Sequence, residues 1–140
     1  MSAKTALFLP QSGVIPYRIL DGEIEVMLIT SSTGKRWVIP KGLIERNMTP
    51  QDSAAKEAWE EAGLLGQVLP DSVGTYEYQK ATGIFQVEVF LLKVENVLAE
   101  WPEANKRKRQ WVNPAKAAKR VDEPQLKQIF MNLPLCLNQY

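Results

Sequence analysis

Glu57, Glu60 and Glu61 place three carboxylates at i, i+3 and i+4 within the run Lys56-Glu-Ala-Trp-Glu-Glu-Ala-Gly-Leu64. No other stretch of the chain restricts its fold so tightly. On an α-helix these positions stack on one face, because each residue advances about 100° around the axis. Like charges stacked in this way repel, so the arrangement costs stability until something cationic neutralises it. A hard divalent metal is the obvious neutraliser. Thr49 is a suitable N-cap, Pro50 fits the first helical position, and Asp52 stands three residues after the cap. Ala54, Ala55, Ala58 and Ala62 favour helix, and Gly63 is the expected residue just beyond its end. The spacing predicts an amphipathic helix with Ala55, Ala58, Trp59 and Ala62 on its apolar side and the carboxylates on the other.

A glutamate-rich helix face is ordinarily only solvated surface. The flanking residues change that reading. Gly42, Glu57, Glu60, Glu61, Gly63 and Leu64, with small Ala58 at an aliphatic position, match the Nudix box, Gly-x5-Glu-x7-Arg-Glu-U-x-Glu-Glu-x-Gly-U with U aliphatic. From Gly42 to Leu64 the chain resembles that family. The resemblance implies a Nudix-type α/β/α sandwich with a mixed sheet, covering about Gly13 to Leu133. It also implies metal-dependent hydrolysis of a diphosphate linked to another group, with Mg²⁺ the expected cofactor and Mn²⁺ an alternative. Glu57 and Glu61 would be the principal ligands, and Glu60 a ligand or base; all three are thereby catalytic candidates. One of them, or a glutamate from a later loop, would serve as general base.

Two box positions depart from the pattern. Met48 replaces the family's first glutamate, and Lys56 replaces its arginine. Those two side chains look like a structural pair in the family, and losing both strands no charge without its partner. Lys56 is left to reach solvent or Glu60 at i+4, and Glu45, three residues before Met48, is placed to substitute in part.

The rest of the chain bounds the chemistry. Its 140 residues suit one domain, 1–140, with a core of its own. There is no histidine, which excludes His-based nucleophilic, acid–base and zinc chemistry and leaves the carboxylates. Cys136 stands alone, so no intramolecular disulfide forms, as expected for a reducing cytoplasm. No apolar run reaches membrane-spanning length, and Met1 to Pro10 lacks the apolar stretch of a signal peptide. No membrane is expected as a partner, and a near-neutral formal net charge of +1 with a single short basic run gives little support to nucleic acid. Oligomeric state is left open.

Strand-like runs occupy Gly13–Leu20 and Ile24–Ser31, with Asp21-Gly22 as the hairpin turn between them. Trp37–Pro40 is a short strand feeding the box. Gly74–Lys80 and Ile84–Val94 follow, joined at Thr82-Gly83, and Phe85, Val87, Val89 and Leu91 make one face of the second wholly apolar. Arg107–Val112 reads as a further strand. Pro114–Val121 and Pro124–Leu133 each start at a proline and read as helices. Strands with a helix among them and helices at the end suggest a mixed sheet covered on both faces.

Substrate selection must come from outside the box. Ser31-Ser-Thr-Gly-Lys-Arg-Trp37 brings hydroxyls, backbone N–H groups and two cations suited to polyphosphate. Together with Trp101-Pro-Glu103 and Lys106-Arg-Lys-Arg-Gln-Trp111, it resembles the diphosphoinositol polyphosphate phosphohydrolase branch, members of which also cleave diadenosine polyphosphates. Pro40-Lys41-Gly42 is instead similar to the turn of asymmetric diadenosine tetraphosphate hydrolases. A small-molecule polyphosphate is the expected partner, held by Arg18, Ser31, Ser32, Lys35, Arg36, Lys41, Gly42, Arg107 and Arg109. Glu103 reads equally as an extra ligand or base and as an acid paired with the basic run. Trp101 and Trp111 read as core or as stacking surfaces, and Glu88 as an outward acid. The alternatives are a Nudix-like nucleotide-binding module without catalysis and an RNA 5′-pyrophosphohydrolase.

Overall fold

The computed structural model describes residues 7–81 and 83–138. Along these the chain runs β1 (Leu7–Leu20), β2 (Glu23–Thr30), β3 (Trp37–Val38), β4 (Lys41–Leu43), α1 (Pro50–Ala62), β5 (Leu64–Val68), β6 (Gly74–Lys80), β7 (Gly83–Val97), β8 (Arg109–Val112), α2 (Pro114–Arg120) and α3 (Pro124–Leu137). β1 and β7 are the long central strands and run parallel, from Leu7 opposite Gly83 to Tyr17 opposite Lys93. Every other pairing is antiparallel. The sheet is therefore mixed, as expected.

Each long strand changes partner midway. β1 pairs with β4 through Gln11–Gly13 and with β2 through Tyr17–Leu20. β7 pairs with β6 through Gly83–Val89 and with β5 through Leu92–Val97. The sheet thus divides toward its two ends, and β4 carries the start of the box onto the first half of β1.

Alternation along the strands feeds two cores. Ile15, Val26, Leu28, Val87, Val89 and Leu91 face α2 and α3, packing on Ala117, Val121, Leu126, Ile129, Phe130 and Leu133. Val14, Met27, Ile29, Phe90 and Leu92 face α1, packing on Ala54, Ala58 and Ala62. This is the α/β/α layering.

The expected elements need several corrections. β1 begins at Leu7 rather than Gly13, because parallel pairing with β7 carries it through Pro10. β4 and β5 are not among the expected strands; both are short, and Gly42 and Gly66 lower their strand propensity. β8 starts at Arg109, which leaves Arg107 in the preceding loop. α3 continues past Pro134 to Leu137, since Cys136 and Leu137 extend its packing on the core. Thr82 of the expected Thr82-Gly83 turn lies outside the described residues. On α1 the buried side is Ala54, Ala58 and Ala62 together with Glu61, while Trp59 is 40% exposed. Its apolar stripe is narrower than expected and rotated toward the carboxylates.

Candidate active site

α1 begins and ends where its sequence dictates. The Thr49 hydroxyl accepts the Asp52 N–H at 3.0 Å, and Gly63 closes the helix in the left-handed conformation at φ 65°. Ser53, buried in the first turn, ties the box loop to the helix: its hydroxyl donates to the Leu43 carbonyl and accepts the Glu45 N–H, both at 3.2 Å. Lys56 lies 2.7 Å from Glu45 and 3.5 Å from Glu60. Glu45 has thus taken the acid's place vacated at Met48. Both partners are well exposed, so a Glu45→Ala, Lys56→Ala double-mutant cycle should show a coupling that moves Tm by no more than a few degrees. A large loss of folded protein would contradict that.

Gly42 stands opposite Ser12 across the β4–β1 ladder, and residues directly opposite share a face of the sheet. On that face the Glu57 carboxyl group lies against the Gly42 backbone, so closely that a Cβ at position 42 would overlap it. One turn on, Glu61 is buried. It accepts the Lys41 N–H at 3.1 Å and pairs with Arg107 at 3.2 Å. Arg107 is shared: it also donates to Glu103 at 3.0 Å and to the Thr30 carbonyl at 3.0 Å. Glu103 thus comes from the β7–β8 loop to the acids of α1, with Arg107 between it and Glu61.

Burial, reinforced by the charges of Glu61 and Glu60 and a hydrogen bond with Glu61, pushes the Glu57 carboxyl up to about 8. Burial also raises Glu61, against the opposing pull of Arg107 and Lys41, and the charge of Glu103 adds to the rise. The Lys41 amine is lowered by burial despite the Glu61 carboxylate. Near neutral pH the Glu57–Glu61 pair accordingly retains a proton.

The donor set fits a hard divalent cation. It consists of oxygens only, and on the same face the fully buried Ser12 hydroxyl has no hydrogen-bond partner. Among the described residues no three acids stand close enough together to form a ready-made metal cage, so a bound cation would draw the rest of its oxygens from waters and substrate phosphates. Glu57 holds its proton more tightly folded than unfolded, so stability falls as pH rises from about 4.5 toward about 8. In thermal melts the metal-free protein should lose Tm across that window, and Mg²⁺ should restore far more of it near the upper end. A Mg²⁺ effect independent of pH would sink the linkage.

Ser31, Ser32, Arg36, Lys41, Glu61 and Arg107 line a single polar cleft of about 170 Å³, together with Val38, Tyr78 and Lys80. Lys35 sits exposed on the preceding turn and is not part of that lining. Two expected substrate ligands are placed elsewhere. Arg18 lies five residues beyond Gly13 on β1, about 16 Å away at the strand rise. It pairs with Glu25 at 2.8 Å, stacks on Trp111 at 4.1 Å and borders a separate cavity. Arg109 turns to the end of α1, where it donates to the Ala62 carbonyl at 2.8 Å and to that of Leu98, and stacks 3.9 Å from the centre of the Trp101 ring. The Arg109 guanidinium is committed to the helix end, and Arg18 stays partly exposed beside the separate cavity. Gly42 contributes by its lack of a side chain.

Tyr78 and Lys80 were missed. They share a face of β6 at i and i+2, which is the one sequence cue that could have revealed them. Tyr78 donates to Gln11 at 2.8 Å, stacks on Phe85 at 4.9 Å and lies 5.1 Å under the Lys41 amine. Of the two readings of Glu103, the structure shows the pairing with the basic run, at 3.0 Å from Arg107, and its charge adds to the rise of Glu57.

The NUDIX domain family profile matches residues 9–133. Nudix hydrolase 16, mitochondrial, of Arabidopsis thaliana is 32% identical over 83% of this chain and 74% of its own length. Nudix hydrolase 21, chloroplastic, of the same plant is 38% identical over 75% and 56%. Diphosphoinositol polyphosphate phosphohydrolase 3-alpha of Mus musculus is 35% identical over 65% and 56%. The chain thus spans between about half and three quarters of these relatives. Among solved structures, a C. elegans Ap4A hydrolase binary complex superposes with a TM-score of 0.77 at 22% identity, covering 94% of this chain and 99% of the other. That likeness is one of fold.

Proposed function

This chain belongs to the Nudix family, and on that footing we propose that it hydrolyses a phosphoanhydride bond in a nucleoside- or inositol-linked polyphosphate. The single observation that carries the reading is the juxtaposition of the Glu57–Glu61 pair, short of one positive charge, with a cleft lined by Lys41, Arg36, Lys80 and Arg107. Glu57, Glu60 and Glu61, with Glu103 beside them, would hold Mg²⁺ (or Mn²⁺), which when bound neutralises phosphate charge and orients a water.

The chain's own residues supply the rest. Lys41 and Arg107 bind non-bridging phosphate oxygens, and the Ser31 and Ser32 hydroxyls donate to the same chain of phosphates. A water attacks phosphorus, the bond to the departing phosphate oxygen breaks, and the water's proton passes to a carboxylate. Glu60 and Glu103 are the candidates for that base, being less encumbered than the proton-sharing pair.

The cation set bears on the substrate. Arg36, Lys41, Lys80 and Arg107 line the cleft without Arg18 or Arg109, and Tyr78 adds an aromatic ring of the kind a nucleobase stacks on. A dinucleoside polyphosphate therefore suits it better than a densely phosphorylated inositol. We read residues 1–140 as one domain acting on a small molecule, and the lone Cys136 supports a reducing compartment such as the cytoplasm. Among the described residues no helix is long and apolar enough to cross a membrane.

The test is nucleotide or phosphate release with Mg²⁺ from diadenosine polyphosphates, diphosphoinositol phosphates, nucleoside triphosphates and triphosphate-ended RNA. The first should be cleaved best. Silence across the panel would overturn the reading in favour of a binding module.

A further inference from the structure

The C-terminus of α1 shows an unusually complete set of external partners. The last carbonyls of a helix find no donor within it and need donors from elsewhere. Here one segment, residues 98–109, supplies them in succession. The Glu103 N–H donates to the Glu60 carbonyl at 3.0 Å. The Trp101 indole N–H donates to the Glu61 carbonyl at 3.0 Å. The Arg109 guanidinium donates to the Ala62 carbonyl at 2.8 Å. The Leu98 N–H donates to the Gly63 carbonyl at 2.8 Å.

The side chains close over the same point. Arg109 stacks on the Trp101 ring, and a Cβ at Gly63 would come within 2.9 Å of both. α1 has no basic residue in its own last turn, so Arg109 also supplies the cation that the helix dipole favours there. Two of the capped carbonyls belong to the box acids Glu60 and Glu61. The same segment carries Arg107, whose guanidinium bridges the side chains of Glu61 and Glu103. Backbone clamp and reacting groups are therefore one continuous piece of structure.

We propose that segment 98–109 sets the register of Glu103 against the box carboxylates by clamping the end of α1, with Trp101 and Arg109 as positioning residues. This rests on the proposed hydrolysis only for its activity readout. The clamp acts through Glu103, so losing it should matter only while Glu103 is there to be placed.

Trp101→Phe keeps an aromatic ring for Arg109 and removes only the indole donor. It should lower kcat about tenfold with KM within about twofold, as expected when a reacting group is misplaced while substrate binding stays intact. In a Glu103→Gln background the same change should lower kcat by less than about twofold. Arg109→Lys, which keeps the charge but not the fork, should show the same non-additivity if Trp101→Phe folds poorly. Independently of any substrate, exchange of the Glu103 amide with solvent should speed up in both variants. Equal losses in the two backgrounds, or unchanged protection of that amide, would overturn the clamp. A wild-type chain silent on every substrate would count against the proposed hydrolysis instead, and the amide would still decide this inference.

Discussion

Glu61→Gln should reduce kcat by on the order of 10²–10³ while leaving the fold intact. Glu61 is the box acid with the most partners: it is buried, accepts the Lys41 N–H and pairs with Arg107. An amide of the same shape keeps the packing. It loses the negative charge that a divalent cation needs, and several kcal/mol of charge stabilisation go with it, at about 1.4 kcal/mol per factor of ten in rate. Stability should move little, because two effects oppose. The Arg107 pair weakens, although Arg107 retains Glu103 and the Thr30 carbonyl. Meanwhile Glu57 loses the neighbouring charge that helped raise it, so the acidic face relaxes. The measurements are steady-state hydrolysis in Mg²⁺ and a thermal melt. Near-wild-type turnover would remove Glu61 from the machinery, and a collapsed melt would make it a structural acid.

The acidic face was legible because helix spacing converts directly into a shared surface, and the caps Thr49 and Gly63 mark its bounds in residue types alone. The mixed sheet was legible for a related reason: β1, β2 and β7 are long, β-branched and bounded by turn residues. What escaped were elements whose only reason to exist is a distant partner. β4 and β5 are strands because β1 and β7 offer them edges, and nothing local in Lys41-Gly42-Leu43 declares it.

The cations show the same limit more sharply. Arg18, Arg107 and Arg109 look alike in a sequence, each an arginine near aromatic or acidic neighbours. Their fates differ by what lies across from them: a cross-strand glutamate, two site acids, or the bare carbonyls of a helix end. One cue was available. A helix with no basic residue in its last turn leaves its terminal carbonyls to be met from outside, and an arginine flanked by tryptophan positions suits that task. Lys56 went the other way, since the loss of the Met48 acid left Glu45 within its reach on the same loop.

Gly42→Ala should cost turnover on the order of a hundredfold without lowering stability. Gly42 is not in the left-handed region, so the reason is space and not backbone freedom. A methyl group there overlaps the Glu57 carboxyl, whose farther oxygen would still be only 2.9 Å away, inside the contact distance for non-bonded atoms. The helix cannot back off, because Ala54, Ala58 and Ala62 are fully buried against the sheet and small enough to set a close approach. The β4 ladder holds the other side through Gln11, Ser12 and Gly13. The Glu57 side chain is therefore the part that yields. Swung outward, its carboxyl escapes the burial that is the main cause of its raised pKa, so the variant's stability should fall less steeply with rising pH than the wild type's. Misplaced, it no longer converges with Glu61 on a common cation, and the Mg²⁺ concentration for half-maximal activity should rise along with the loss of kcat. Turnover within twofold of wild type at unchanged Mg²⁺ demand would mean that Glu57 works equally well from either position, and the close approach at Gly42 would then have no part in the chemistry.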